Sequence, residues 1–334
     1  MSAMLEQKPV VTASPHVRSQ DSTPWIMWNV VASLVPVIAA AAWFFGVSAL
    51  LVIGAATLGS LAAERAFGRG GTMGDGSAMI TGLLLGLTLP AGLPLWMAFL
   101  GGGFGIAFGK AVWGGLGQNV FNPALIGRAF LQAAFPVAIT TWPTVGGSFW
   151  SLKGDLFALP FTHPRFDAIT SATPLGLLKF EGTGTSTLKL LLGNTGGSLG
   201  ETAALVILAG GIFLALRGYL NWRTPVGIFL TVAVFSTVIH AVDPHRPDAL
   251  FMLFSGGLML GAIYMATDPV TTPITNRGRW VFGAGVGLLV VLIRVWGGLP
   301  EGVMYAILFM NALVPFINRA TQPRVFGHGL KEAA

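Results

Sequence analysis

Long apolar stretches alternate along the chain with short polar connections, and that alternation sets its elements. Residues 25–63 hold no charged side chain and divide at Gly46, which predicts helices over 25–45 and 47–66. Shorter apolar segments follow over 77–90 and 94–113. A fifth starts at Pro123, a residue suited to the first turn of a helix, and runs to 140. Polar residues then prevail from 141 to 198, and five further apolar segments fall near 199–216, 224–241, 249–267, 280–296 and 302–318. A helix crossing the hydrocarbon core needs about 20 residues at about 1.5 Å rise. These segments therefore read as ten bilayer spans.

The pattern repeats. VWGGL occurs at Val112–Leu116, between spans four and five, and again at Val295–Leu299, between spans nine and ten. GLLLG at Gly82–Gly86 in span three matches GLMLG at Gly257–Gly261 in span eight. Units of five helices put the two copies on opposite membrane faces, the inverted arrangement of many transport proteins. The expected fold class is thus an all-α polytopic membrane protein, about ten transmembrane helices in a 5+5 inverted repeat with one long periplasmic loop. The expected organisation is a cytoplasmic tail over 1–24, repeats over 25–140 and 199–318, the external loop over 141–198 and a second tail over 319–334.

Charge orients this scheme. With the amino terminus in the cytoplasm, thirteen of the 19 lysines and arginines face that side, while the short outer loops receive only Arg246 and Arg294. That bias predicts two cytoplasmic termini, in a bacterial inner membrane, with 141–198 periplasmic. The polar, proline-containing first 24 residues are expected to be a tail before span one and not a cleavable signal peptide.

Composition narrows the chemistry. Hydrophobic residues make up 53% of the 334 and charged ones 10%, against about 25% charged in soluble domains. The 46 glycines suit helices that must approach closely, since lipid does not press them together; Gly101, Gly105 and Gly109 form one stripe at helical spacing. The charge of +6 lies in short loops, not on one basic face, so no nucleic-acid partner is expected. Without cysteine, a thiolate-held iron–sulfur cluster or a C-x-x-C-H haem is excluded. Of five histidines only His240 lies within an apolar run, so a bis-histidine haem is not expected either. If the chain moves electrons, an organic carrier remains.

One loop segment carries chemistry. Residues 167–175 read DAITSATPL, a turn of small residues with hydroxyls at Thr170, Ser171 and Thr173. On spacing alone Thr173 caps a helix opening at Pro174. The segment also resembles the flavinylation motif D-x-x-S/T-G-A-S/T, in which a dedicated flavin transferase joins FMN through its phosphate to the last hydroxyl residue. Mapped here, that residue is Thr173, with Asp167, Thr170, Ser171 and Ala172 completing the motif; Ser171 stands where the motif has Gly. Both roles are compatible, because a helix N-terminus suits a phosphoester.

The strings TMGDGSAMITGLLLGLTLP (72–90), GKAVWGGLGQNVFNPALIGRAF (109–130), GGSLGE (196–201), GGLMLGAIYMATDPVTTPIT (256–275) and LIRVWGGLPEGVMYAILFMNAL (292–313) carry a wider resemblance. They are similar to the D subunit of Rnf-type ion-translocating oxidoreductases, and to the related B subunit of sodium-pumping NADH:quinone reductases. The resemblance implies a translocase subunit that links electron flow between ferredoxin and NAD to ion movement, among other membrane and peripheral subunits. It also implies a non-covalent riboflavin near N-x-x-N-P, here Asn119 to Pro123. Carboxamides can hydrogen-bond a flavin's carbonyls and N–H, but Asn119 and Asn122 can equally cap the start of span five.

Charges near span ends complete the set. Glu64, Lys110, Arg128 and Asp268 are expected at cytoplasmic helix ends, and Glu201, Arg294 and Glu301 at external ones, within snorkelling reach of the interface. Arg128 and Asp268 are the candidates for an ion path. The alternative function is a channel or solute transporter without a redox cofactor, which the fold alone would equally serve. DAITSATPL separates the two, since a channel has no use for it.

Overall fold

In a computed structural model, the described residues are 21–67, 74–160, 172–193, 195–201 and 204–323. They form an all-helical membrane protein. Five helices are long and apolar enough to cross a bilayer: α1 (Thr23–Phe45), α2 (Val47–Phe67), α10 (Arg223–Val242), α13 (Asn276–Trp296) and α14 (Val303–Thr321). Three shorter apolar helices accompany them: α3 (Ser77–Leu87), α4 (Leu95–Ile106, extended by a π turn to Ala111) and α9 (Ala204–Leu216). The rest are α5 (Pro123–Ala134), α6 (Pro136–Thr140), α7 (Pro174–Gly176), α8 (Thr187–Leu192), α11 (Ala249–Phe254) and α12 (Leu258–Leu260).

Local chemistry explains where these begin and end. Ser22 caps α1, its Oγ accepting from the Trp25 N–H, with Pro24 in the first turn. Gly46 ends α1 at φ 71°, a conformation that glycine adopts without a side-chain clash. The division at Gly46 is therefore as the hydropathy pattern predicts. The glycine stripe of α4 faces α5. A Cβ on Gly105 would lie 2.6 Å from the Pro123 carbonyl oxygen, and one on Gly109 would lie 2.7 Å from Pro123 Cα. Backbones this close gain the dispersion contacts that hold helices together in lipid.

Three expected spans are broken. α3 stops at Leu87 because Pro90 and Pro94 follow, and the residue before a proline leaves the helical region. Span five is interrupted at Phe135 (φ −134°, ψ 57°) ahead of Pro136. Span eight parts between α11 and α12, where Ser255 is extended and Gly256 takes φ 64°. A break at membrane depth is tolerated only if its freed backbone groups find partners within the protein. At α3 the GGSLGE segment supplies two: Gly200 N–H donates to Leu87 O at 2.6 Å and Leu199 N–H to Leu89 O at 3.1 Å.

The connections gather into two groups. The α1–α2 turn holds the 141–160 segment: Val47 N–H donates to Phe149 O and Lys153 N–H to Ser48 Oγ. The same segment meets the α3–α4 connection, where Leu95 N–H donates to Leu156 O. At the far ends of these helices, Glu64 of α2, Ser77 of α3 and Lys110 after α4 meet one another. In the second half, the α10–α11 turn reaches the end of α13 through Arg246, which donates to Val295 O. The opposite ends of α13 and α14 meet at Thr275 and Thr321.

Candidate functional site

A cavity of about 690 Å³ lies beside the helix breaks and is lined by Thr173, Arg128, Gln132, Trp142, Phe180 and Glu301, among others. Thr173 enters it from the segment that opens α7. Its Oγ1 accepts from Gly176 N–H at 3.1 Å, so it caps α7 as the spacing predicts. The residue is 4% exposed, so it lies in the cavity wall and away from bulk solvent. Ala172 lines the same cavity. Asp167, Thr170 and Ser171 lie outside the described residues.

Lys179 fixes this segment to the membrane core. It follows Thr173 by less than two helical turns, in the π turn Leu177–Glu181, and donates to the carbonyls of Arg294, Gly297 and Leu299. These belong to the second VWGGL copy and the residue before it. Burial lowers the Lys179 ammonium below its ordinary value, and the nearby Arg246 lowers it further.

Below Thr173 the breaks are closed by two arginines. Arg128, near the middle of α5, donates to Thr88 O at the end of α3, and its Nη2 pairs with Glu301 Oε2 at 2.9 Å. Arg294, near the end of α13, donates to Met252 O at 2.6 Å and Ser255 O at 2.9 Å, at the end of α11. Each guanidinium thus satisfies carbonyls at a helix C-terminus, where a cation also complements the dipole. Glu201 completes the group, hydrogen-bonded by Ser198 and close to both arginines and Glu301.

This differs from the arrangement expected from the sequence. Arg128 and Glu301 are not at opposite faces but in contact. Glu64, Lys110, Arg128, Glu201 and Arg294 are all buried within the protein, not snorkelling to an interface. Charges in a membrane core persist when partners replace water, and here the ion-pair partners come from distant segments; Arg128 and Glu301 are 173 residues apart. The sequence signal was a charge in an apolar context. The identity of its partner was not readable without the breaks.

A narrower cavity, about 120 Å³, is lined by Asn119, Asn122, Asp268, Lys110, Ser77 and Tyr264 with apolar neighbours from α1. Asn122 is committed on both sides of its amide. Oδ1 accepts from Ala124 N–H and Leu125 N–H, capping α5, and Nδ2 donates to Met265 O at 3.2 Å. Asn119 makes a 3.4 Å bond to Phe121 O and also meets Asp268. Asp268 accepts from Val270 N–H and Thr271 Oγ1. The two ion-path candidates are therefore not brought together: Arg128 belongs to the large cavity and Asp268 to the narrow one.

Lys110 forms the second buried ion cluster. Its Nζ is 2.9 Å from Glu64 Oε1, 2.6 Å from Ser77 Oγ and 4.0 Å from Asp75 Oδ2. His240 Nδ1 bonds to Arg246 O at 2.7 Å.

Broken helices that enclose paired charges define a membrane protein of the transport and translocation class. The chain belongs to the NQR2, RnfD, RnfE family, whose model matches residues 10–327. It is 40% identical to the D subunit of the proton-translocating ferredoxin:NAD(+) oxidoreductase complex of Clostridium ljungdahlii, over 95% of this chain and 96% of that one. It is 39% identical to the D subunit of the Na(+)-translocating ferredoxin:NAD(+) oxidoreductase complex of Acetobacterium woodii, over 97% of each. To the D subunit of the ion-translocating oxidoreductase complex of Stutzerimonas stutzeri it is 44% identical over 77% of each. These relatives are, by name, subunits of ion-translocating oxidoreductase complexes.

Proposed function

We propose that this chain is the flavin-carrying membrane subunit of an ion-translocating ferredoxin:NAD oxidoreductase complex, with FMN joined through its phosphate to Thr173. The observation that carries the reading is the position of the Thr173 hydroxyl, on the wall of a 690 Å³ cavity. That volume lies within the range of about 300–1,000 Å³ in which proteins enclose small ligands. The residues present fit a flavin: Arg128 and Gln132 offer donors to its carbonyls, and Trp142, Phe180 and Tyr305 offer apolar ring faces. A flavin held there supplies one- and two-electron transfer. The protein's part is to anchor it, exclude bulk water and balance its charge. The test is fluorescence of the polypeptide after denaturing electrophoresis, since only a covalent flavin stays with the band; a dark band from intact complex would return the chain to the channel or transporter reading.

In this reading the chain crosses an inner membrane ten times as two inverted five-helix units, both termini cytoplasmic and 141–198 periplasmic. A flavin transferase would then act on the motif of Asp167, Thr170, Ser171 and Ala172 from the periplasmic side. Ser148 is exposed, so Ser148→Cys is expected to react with an impermeant thiol reagent in intact spheroplasts. Labelling only after the membrane is broken would reverse the topology.

The narrow cavity is proposed to hold a non-covalent riboflavin. At about 120 Å³ it is tighter than ordinary ligand sites, so seating a three-ring system there requires the flexible α1 side chains lining it, such as Met27, to move. Asn119, held by a long 3.4 Å bond to Phe121 O and by Asp268, is the residue that can turn toward such a ring, whereas Asn122 is held by its cap. Asn119→Leu is therefore expected to lower riboflavin released on denaturation while the covalent band persists. Asn122→Leu costs in addition about 1 kcal/mol of capping. An unchanged ratio of riboflavin to FMN in purified Asn119→Leu would remove the second flavin from this site.

A further inference from the structure

The charge group under Thr173 has a gap that arginines do not fill. Glu301 gives one oxygen, Oε2, to Arg128, and Glu201 is hydrogen-bonded by Ser198. The other oxygen of each, Oε1, is buried and has no donor among the described residues. The two carboxyls are neighbours whose charges interact. Their bare oxygens converge on the α11–α12 break: a Cβ on Gly257 would be 3.7 Å from Glu201 Oε1, and one on neighbouring Gly256 would be 3.7 Å from Glu301 Oε1. Glu201 is 8% exposed.

Two anionic carboxyls side by side in a low-dielectric site repel strongly, and such pairs ionise one at a time. One proton between them turns repulsion into a short O–H···O⁻ bond, among the stronger hydrogen bonds in proteins. We infer that Glu201 and Glu301 form a proton-sharing carboxyl pair, a binding site for one proton set into the wall of the Thr173 cavity.

The charged groups packed around the pair are Arg128 from α5, Arg294 from α13 and, farther out, Lys179 on the carbonyls of 294–299. Arg294 also decides between a proton and a metal cation. Its Nη2 and Glu301 Oε1 flank the same point, at 3.0 and 3.7 Å from a Cβ on Gly256. A second full positive charge beside a guanidinium is opposed by both volume and Coulomb repulsion, whereas a proton needs no room. The proton arrives from water in the cavity through Glu301, whose side chain is 19% exposed. Only an O–H bond forms, and no electron moves. Two guanidiniums, one carboxyl and one carboxylate leave a single net positive charge. That charge offsets the anionic phosphodiester on Thr173, a consequence that rests on the flavin reading, whereas the pair itself does not.

Infrared absorption of the full chain in its purified complex tests the site. At neutral pH the difference between wild type and Glu201→Gln is expected to contain one protonated-carboxyl C=O band that moves down in D2O. Glu301→Gln is expected to lose the same band, and exchanging potassium for sodium to leave it in place. No acid band in either difference spectrum, or a band abolished by sodium, would overturn the assignment. If Glu201→Gln does not accumulate, Glu201→Asp is read instead: it keeps the acid but withdraws it by one methylene, and an unshifted band is again fatal. The band is also expected to survive in Thr173→Ala. A dark wild-type polypeptide with the band present would therefore refute the flavin and leave the pair standing.

Discussion

Replacing Thr173 by Ala is expected to abolish covalent flavin fluorescence completely while the protein stays in the membrane at near-normal amount. The loss is all-or-none because a phosphoester needs a hydroxyl and Ala offers none. The structural cost is small: the mutation removes one cap bond, Gly176 N–H to Thr173 Oγ1 at 3.1 Å, worth about 1 kcal/mol. Pro174 still opens α7 and Lys179 still ties the segment to the 294–299 carbonyls. Thr173→Ser keeps both hydroxyl and cap, and retained fluorescence there would separate chemistry from folding. Flavin persisting in Thr173→Ala but vanishing in Thr170→Ala or Ser171→Ala would shift the attachment point within the motif.

The largest stability effect is expected at Lys110. Its ammonium sits between Glu64 and Ser77, with Lys110 and Glu64 side chains each 4% exposed. Lys110→Met preserves the length of the side chain but leaves the Glu64 carboxylate buried without its cation. Breaking a buried pair in this way costs about 3–5 kcal/mol, to be read as a lowered midpoint of unfolding in detergent. Removing both charges is different, because two apolar groups of similar size replace a pair that had to be desolvated. Lys110→Met combined with Glu64→Leu is therefore expected to recover most of the loss. If the double variant is no more stable than the single, Lys110 stabilises through Ser77 and the start of α3, and not through charge. The cluster fastens the ends of α2, α3 and α4 at one level, so its failure loosens three helices together.

The hydropathy pattern was enough for the long helices, because composition alone makes α1, α2, α10, α13 and α14 insoluble as anything but buried or lipid-facing elements. It located the Gly46 turn and the start of α5 at Pro123 for local reasons: a glycine with positive φ, and a proline whose missing N–H costs nothing in a first turn. The Thr173 cap was legible for the same reason. The breaks at Thr88, Phe135 and Ser255 were not, although a proline marks two of them. An apolar run reads the same whether its helix is continuous or interrupted, and what sustains an interruption is a partner elsewhere: Leu199 and Gly200 for α3, Arg294 for α11. The site followed suit. Thr173 could be singled out because the chemistry proposed for it rests on a local motif. Glu201, Glu301 and Arg294 could not be joined to Arg128, because their association depends on how four separated segments pack.

The tie between Lys179 and the carbonyls of 294–299 has a mechanical meaning. A loop attached only at its two ends would flutter, and the distance from whatever it carries to the membrane interior would fluctuate with it. Here the residue six positions beyond Thr173 is pinned to the corner where α13 turns into α14. The loop behaves as a strut, not a tether. On the proposed flavin reading, since electron tunnelling falls off steeply with separation, a strut would hold the rate from a Thr173 flavin to an inner acceptor near one value. It also makes the linkage two-way: tilting α13 against α14 must carry Thr173 along, and a force on the loop must be felt at that corner.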